Sequence, residues 1–389
     1  MKKFTISTPV KYLINTGLIA LFLVVGFHIT QSEMLGRAQT TNILQVGVFI
    51  ILAVSLNLVA GYLGQLPLGH AGFMAVGAYA GALFWRSGLL PDGASLVVGL
   101  LVAGIVAAIF GIIIGVPALR LRGDYLAIIT LGFGEMIRIL INNIPSITGG
   151  AQGLTQIPRH PNFLVVFICV AVCCTVIHMM MKSRHGRAIL SIRDNEIAAE
   201  SCGINTTYYK VMAFALSAFF AGIAGALYAG TYGILVPDNF DFMESINILM
   251  IVVLGGMGSM LGSVLGAAVL TSLPLLMQWL NEYRMIIYAL LLIIIMIFKP
   301  SGLMGTYDFS LTSLIEKFVN AWPRIKMYIK SMPSRIKASI KTMPSRIKSG
   351  IKTMPSKIKA GIKNMPSRIN ANIKNMLLKL KEKRGGGTI

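Results

Sequence analysis

Glu135 and Arg138 stand three residues apart inside an apolar run, GDYLAIITLGFGEMIRILINN (Gly123–Asn143). That spacing puts both on one face of a helix, where opposite charges neutralise each other and avoid the cost, several kcal/mol, of an unpaired charge in lipid. Such a pair could line a route for a zwitterionic or amide solute, or clamp two segments at a membrane edge. A second polar group is embedded in NLVAGYLGQLPLGHAGFMAVGAYAGAL (Asn57–Leu83), where Asn57, Gln65 and His70 lie among glycines and Pro67. Glycine and proline predict irregular backbone here, which lipid tolerates only where it is buried in protein or lines a watery path. Asn57, Gln65, His70, Glu135 and Arg138 are therefore the candidate path residues.

Cys169 with Cys173 and Cys174 with His178 share i, i+4 spacing on one apolar segment. A soft metal could be held that way, but small polarisable core residues fit the same pattern, and no metal site is expected. The chain has no HExxH, no paired catalytic carboxylates and no nucleophile with a base, which excludes the common enzyme chemistries.

The elements that position these residues follow from composition. Of 389 residues, 55% are hydrophobic and only 13% charged, with a mean hydropathy of +0.73; no ordinary soluble domain has this balance. Apolar runs long enough to cross roughly 30 Å of hydrocarbon as helices recur along the chain. The fold class is all-α, a polytopic bundle. Spans are predicted near 13–30, 43–62, 67–85, 95–119, 125–142, 162–181 and 211–234. Residues 246–298 hold one long crossing or three short ones, broken at GGMGSM (Gly255–Met260) and QWLNEYR (Gln278–Arg284). Basic loops at Arg120 and Arg122, and from Lys182 to Arg193, read as cytoplasmic together with both termini. Parity then favours about ten spans, with eight as the alternative. The basic start followed by an apolar run resembles a secretory signal, but no small-residue cleavage site closes it, so it is taken as the first span.

One stretch is polar. GRAILSIRDNEIAAESCGIN (Gly186–Asn205) lies in the loop 182–210 between two apolar runs. Asp194 and Asn195 suit a helix start, Glu196 and Glu200 favour its early turns, and Gly203 suits its end. A short helix against the cytoplasmic membrane face is predicted, with an amphipathic helix resting on headgroups as the other reading.

Ala198 and Ala199 followed by Gly203 resemble the EAA-x3-G element of ABC importer permeases, although Ile197 stands where that element has Glu and Glu196 comes one position earlier. The looser form resembles branched-chain amino acid permeases of the LivM type. So do GQLPLGHAGFMAVGAY (Gly64–Tyr79), ITGGAQGL (Ile147–Leu154), FALSAFFAGIAGALYA (Phe214–Ala229), IVVLGGMGSMLGSVLGA (Ile251–Ala267) and KPSGLMG (Lys299–Gly305), in order over most of residues 40–305. The resemblance implies a permease domain, 1–306, in which Arg193, Asn195, Glu196, Ala198, Ala199, Glu200 and Gly203 form an ATPase-coupling element. It also implies a homologous second permease, two cytoplasmic ATPase subunits and an extracytoplasmic substrate-binding protein. No GxxxxGK[ST] loop occurs in the chain, so ATP is used by partner subunits and no cofactor is expected here. A urea or short-chain amide permease of the same build is the nearest alternative, and an ion-coupled secondary transporter is the rival from another class.

Residues 307–389 lie outside the resemblance. From Glu316 onward there are 19 Lys and Arg against two acids, which accounts for most of the chain's net charge of +21. MPSRIKASIKT, MPSRIKSGIKT, MPSKIKAGIKN and MPSRINANIKN repeat every 11 residues over 332–375, a period that keeps an apolar stripe along a helix. Amphipathic helices on anionic lipid are predicted, or a solvated basic tail. Nucleic acid is not the expected partner, because interleaved aromatics are missing.

Overall fold

Helix α1 (Arg37–Asn57) starts where Gln39 Oε1 accepts the Gly36 N–H at 3.2 Å, the one half of a capping box that a glycine N-cap allows, and runs into a π-helical turn, Leu58–Tyr62. The structure is a computed structural model that describes residues 26–28, 36–121, 123–158 and 161–276, and beyond these only 283, 289–290, 293, 297–299, 302–303 and 305. Most of the first predicted span, most of the segment after Leu276 and the whole repeat tail lie outside the described residues, so the choice between ten and eight spans does too.

After α1 come α2 (His70–Arg86), α3 (Asp92–Ala118), α4 (Asp124–Asn142), α5 (Phe163–Lys182), α6 (Arg184–Asp194), α7 (Glu196–Ser201), α8 (Thr206–Tyr232), α9 (Phe242–Gly255) and α10 (Met260–Leu276). Six of the predicted spans, from 43–62 to 211–234, fall on α1 to α5 and α8. The segment from 246 onward opens as two apolar helices, α9 and α10, parted by the glycine turn that the sequence marks. No strand is present among the described residues; one isolated antiparallel bridge pairs Leu154 with Leu235.

Among the described residues, four helices are long and apolar enough to cross a membrane: Ala38–Tyr62, Gly93–Ala118, Phe163–Lys182 and Thr206–Tyr232. They divide by burial. The first is 83% buried and is the axis of the bundle, with α5, α8, α9 and α10 packed around it. The second and third are only 39% and 28% buried. On α3 the exposed side is a continuous apolar strip that includes Val97, Leu101, Ile105, Ile109 and Ile113, the surface that lipid or another apolar helix must cover.

Small residues set the tightest packing, as expected where apolar surroundings remove the hydrophobic drive between helices. Helix α8 lies against α2 through Gly222 facing Gly77 and Gly225 facing the Met74 carbonyl, and against α3, where a methyl group on Gly222 would sit 2.5 Å from the Ala103 carbonyl oxygen. Backbone cannot yield as a flexible side chain does. Gly222→Val is accordingly expected to part α8 from α2 and α3, seen as loss of a monodisperse detergent-solubilised species and a lower unfolding temperature.

Candidate functional site

The loop between α5 and α8 is built by local capping chemistry. Ser183 Oγ accepts the His185 N–H at 3.2 Å and starts α6. Its buried face, Ala188, Ile189 and Ile192, holds it against the bundle. The helix ends at Asn195, whose extended backbone (φ −161°, ψ 106°) breaks the chain direction, while its Oδ1 accepts the Ala198 N–H at 3.1 Å and starts α7. The short helix expected between Asn195 and Gly203 is α7; α6 precedes it as a second helix, with Asn195 as the joint. Gly203 closes α7 at φ +81°: its N–H bonds to the Glu200 carbonyl at 2.8 Å, and the Ile204 N–H to Ala199 at 3.1 Å. This is a Schellman end, the geometry that favours glycine.

Two side-chain contacts fasten α7 to the foot of α8. Lys210 Nζ, 3% exposed, donates to Glu196 Oε1 at 2.6 Å, and Thr206 Oγ1 donates to Glu200 Oε1 at 2.7 Å. Ala199 is buried beneath the helix, whereas Ala198 and Ser201 are exposed and Ile197 is 66% exposed. The carboxylates of both acids therefore bond to α8, Glu200 remaining exposed as it does so, and Ile197 is the largest apolar side chain on the outer face. Lys210 and Thr206 were not singled out from sequence. The available signal was a lysine directly before the apolar span 211–234, since an ammonium at the edge of an apolar segment is stabilised by a carboxylate partner.

Arg193, in the last turn of α6, donates from Nε and Nη2 to Asp194 Oδ1 at 3.2 and 3.0 Å. Its stem runs over Gly64, where an added methyl would lie 2.7 Å from Arg193 Cγ.

The five path candidates occupy separate surroundings. Asn57 is 1% exposed. Its Oδ1 accepts the Gly258 N–H at 2.9 Å and its Nδ2 donates to the Ser259 carbonyl at 3.0 Å, so its amide clips α1 to the turn between α9 and α10. His70, 2% exposed at the start of α2, has Nε2 3.0 Å from Ser55 Oγ on α1. Gln65 is half-buried, and its Oε1 is shielded from solvent with no hydrogen-bond partner among the described residues.

Glu135 and Arg138 pair as the spacing predicts, Nε to Oε2 at 2.8 Å, and Arg138 Nη1 also reaches Asp238 Oδ1 at 2.9 Å in the loop after α8. That second contact, 100 residues away, is a clamp between segments. Glu135 also edges a crevice of about 150 Å³, solvent-open space included, between the starts of α2 and α9, with Gly72, Asp241 and Ser245. Ligand pockets run to roughly 300 Å³ or more, so this crevice alone does not enclose a solute. The cysteines form no metal cluster: among the described residues no group of three or more His, Cys, Asp or Glu could hold an ion.

An apolar helical bundle with several helices able to span lipid is the build of a multi-pass membrane protein. Residues 40–296 match the family model described as branched-chain amino acid transport system / permease component. Among relatives, the chain is 38% identical over 313 residues to the high-affinity branched-chain amino acid transport system permease protein LivM of Salmonella typhimurium, covering 70% of this chain and 71% of that one. It is 39% identical over 299 residues to LivM of Escherichia coli, covering 66% and 68%. A weaker likeness, 25% over 281 residues, joins it to the permease LivH of Salmonella typhimurium, covering 66% of this chain and 91% of that one. The chain belongs to the branched-chain amino acid transport permease family, as its LivM-type motifs anticipate.

Proposed function

We propose that this chain is one transmembrane subunit of an ATP-driven importer for branched-chain amino acids, paired with a homologous permease in a bacterial cytoplasmic membrane. Two cytoplasmic ATPase subunits supply the energy, and an extracytoplasmic binding protein delivers the solute. Both termini are cytoplasmic, and the basic tail, 307–389, rests on anionic lipid.

The observation that carries this reading is α7. Glu196–Lys210 and Glu200–Thr206 lock it to α8, while Ile197, Ala198 and Ser201 face outward. A locked helix with an exposed apolar residue is what a partner needs in order to push on a transmembrane helix. Asn195 and Gly203 hold its ends, and Arg193 leads into it. ATP closes the ATPase dimer, the element carries that displacement into α6 and α8, and a cavity between the two permeases opens in turn to each side. The small size of the crevice at Glu135 agrees with a route that needs a second subunit to complete it.

The test is leucine uptake in proteoliposomes holding this chain, its sister permease and the ATPase subunits, with binding protein supplied. Uptake that requires both ATP and the binding protein is expected. Uptake driven by an ion gradient without the ATPase would overturn the assignment in favour of a secondary transporter.

A further inference from the structure

Three backbone segments, two of them neighbours in sequence, lie around Arg193. The first is the π-helical turn that follows α1. A Cβ on Gly61 in that turn would run into the backbone nitrogen of Gly258 and stand 2.9 Å from its Cα, so the two backbones are in direct contact. π-turns of this kind recur where function demands a local adjustment of a helix. The second is the turn Gly256–Ser259 between α9 and α10, held by both amide atoms of Asn57. Gly256 and Gly258 have φ of +121° and +79°, backbone that L side chains rarely adopt,. Its other side is covered at Leu303 and Gly305: the Leu303 N–H bonds to the Leu254 carbonyl at 2.7 Å, and a Cβ on Gly256 would lie 2.8 Å from the Gly305 carbonyl oxygen. The third is Gly64, φ +76°, just past the π-turn.

Arg193 touches two of the three. Its Cγ packs on Gly64, and its Nη1 lies 3.7 Å from where a Cβ on Gly258 would be. Arg193 belongs to α6, one residue before the joint that starts α7. Displacement of the α6–α7 element is therefore felt, through one side chain, by glycine backbone just past the π-turn at Gly64 and beside the α9–α10 turn at Gly258.

We propose that Arg193 is a positioning residue that acts inward: it transmits displacement of the α6–α7 element to the Asn57-clipped glycine turn, rather than serving as a contact for the ATPase. This rests on the coupling reading above and specifies the path inside the permease. Backbones packed as closely as Gly61 and Gly258 shift between discrete arrangements rather than deforming smoothly, so a small push beside them biases which arrangement is populated.

The test uses the full transporter in proteoliposomes and reads uptake per ATP hydrolysed, together with retention of the ATPase subunits during purification. Arg193→Ala is expected to keep the ATPase subunits in the complex and to lower uptake per ATP about tenfold, within the range of coupling energies. Arg193→Lys, which keeps the stem over Gly64, is expected to restore most of it. Gly64→Ala should also lower the ratio by displacing the Arg193 stem. The double variant should be no worse than Arg193→Ala alone, whereas plain misfolding from strain at residue 64 would add to the first defect. Dissociation of the ATPase from Arg193→Ala would make Arg193 a docking contact, which sinks the relay and leaves the coupling reading standing. An unchanged ratio in Arg193→Ala, or additive single defects, would also overturn the relay. ATP-independent uptake by the unmutated complex would remove the coupling reading itself.

Discussion

Ile197→Asp is expected to abolish ATP-driven uptake, by about 100-fold, while the helical fold survives. Ile197 is 66% exposed, so its loss removes little from the folded subunit alone. It is the second residue of α7 after the Asn195 cap, and a carboxylate in the first turn of a helix is favoured by the macrodipole. The substitution therefore costs the permease almost nothing locally. What it changes is the outer face of α7, where a charge replaces the largest apolar side chain. Buried in an ATPase cleft, an unpaired carboxylate costs several kcal/mol, enough to release the partner. The readouts are co-purification of the ATPase subunits and uptake, with circular dichroism and the unfolding temperature as controls. Retained ATPase and normal uptake would mean that this face is not the docking surface.

Glu196→Ala is expected to produce the second largest effect, and by a different route. Lys210 is 3% exposed, and its ammonium donates to Glu196 at 2.6 Å. Removing that carboxylate leaves a buried charge without this partner, which costs about 3 kcal/mol. The substitution should lower the unfolding temperature by several degrees and loosen α7 from α8, reducing uptake while Ile197 remains in place. Adding Lys210→Met should recover most of the stability, because deleting both halves of a buried pair is far cheaper than deleting one. Uptake should stay low in the double variant, since the link from α7 to α8 is still missing. Stability lost equally in both variants would show that the pair contributes packing rather than charge.

How much of the site was legible depends on the range of the interaction. Asn195 as a cap and Gly203 as a stop were readable because each satisfies backbone groups within three to five residues of itself. Helix α6 ahead of Asn195 was not, because Ser183 opens that helix earlier and only packing of Ala188, Ile189 and Ile192 on the bundle keeps it there. Glu196 and Glu200 were noticed as acids suited to a helix start. Their partners Lys210 and Thr206 lie 14 and 6 residues on, across a turn whose direction the sequence does not give.

The sequence by itself determined that this chain crosses a membrane repeatedly, where α1 to α5 and α8 fall, that Glu135 pairs with Arg138, and which family it joins. The first three are carried by composition, by apolar run length or by neighbours three or four positions apart, and the family by the resemblance of several motifs in order over residues 40–305. Only the tertiary structure decided what the isolated polar groups do. Asn57 clips a turn 201 and 202 residues away, Arg138 reaches Asp238 100 residues on, and Arg193 rests on Gly64 and beside Gly258. Where water is excluded, a polar side chain must find its partner wherever the packed helices bring one. Which helices meet is set by close approach at residues such as Gly77 and Gly222, a match of surfaces that no local pattern in the sequence contains.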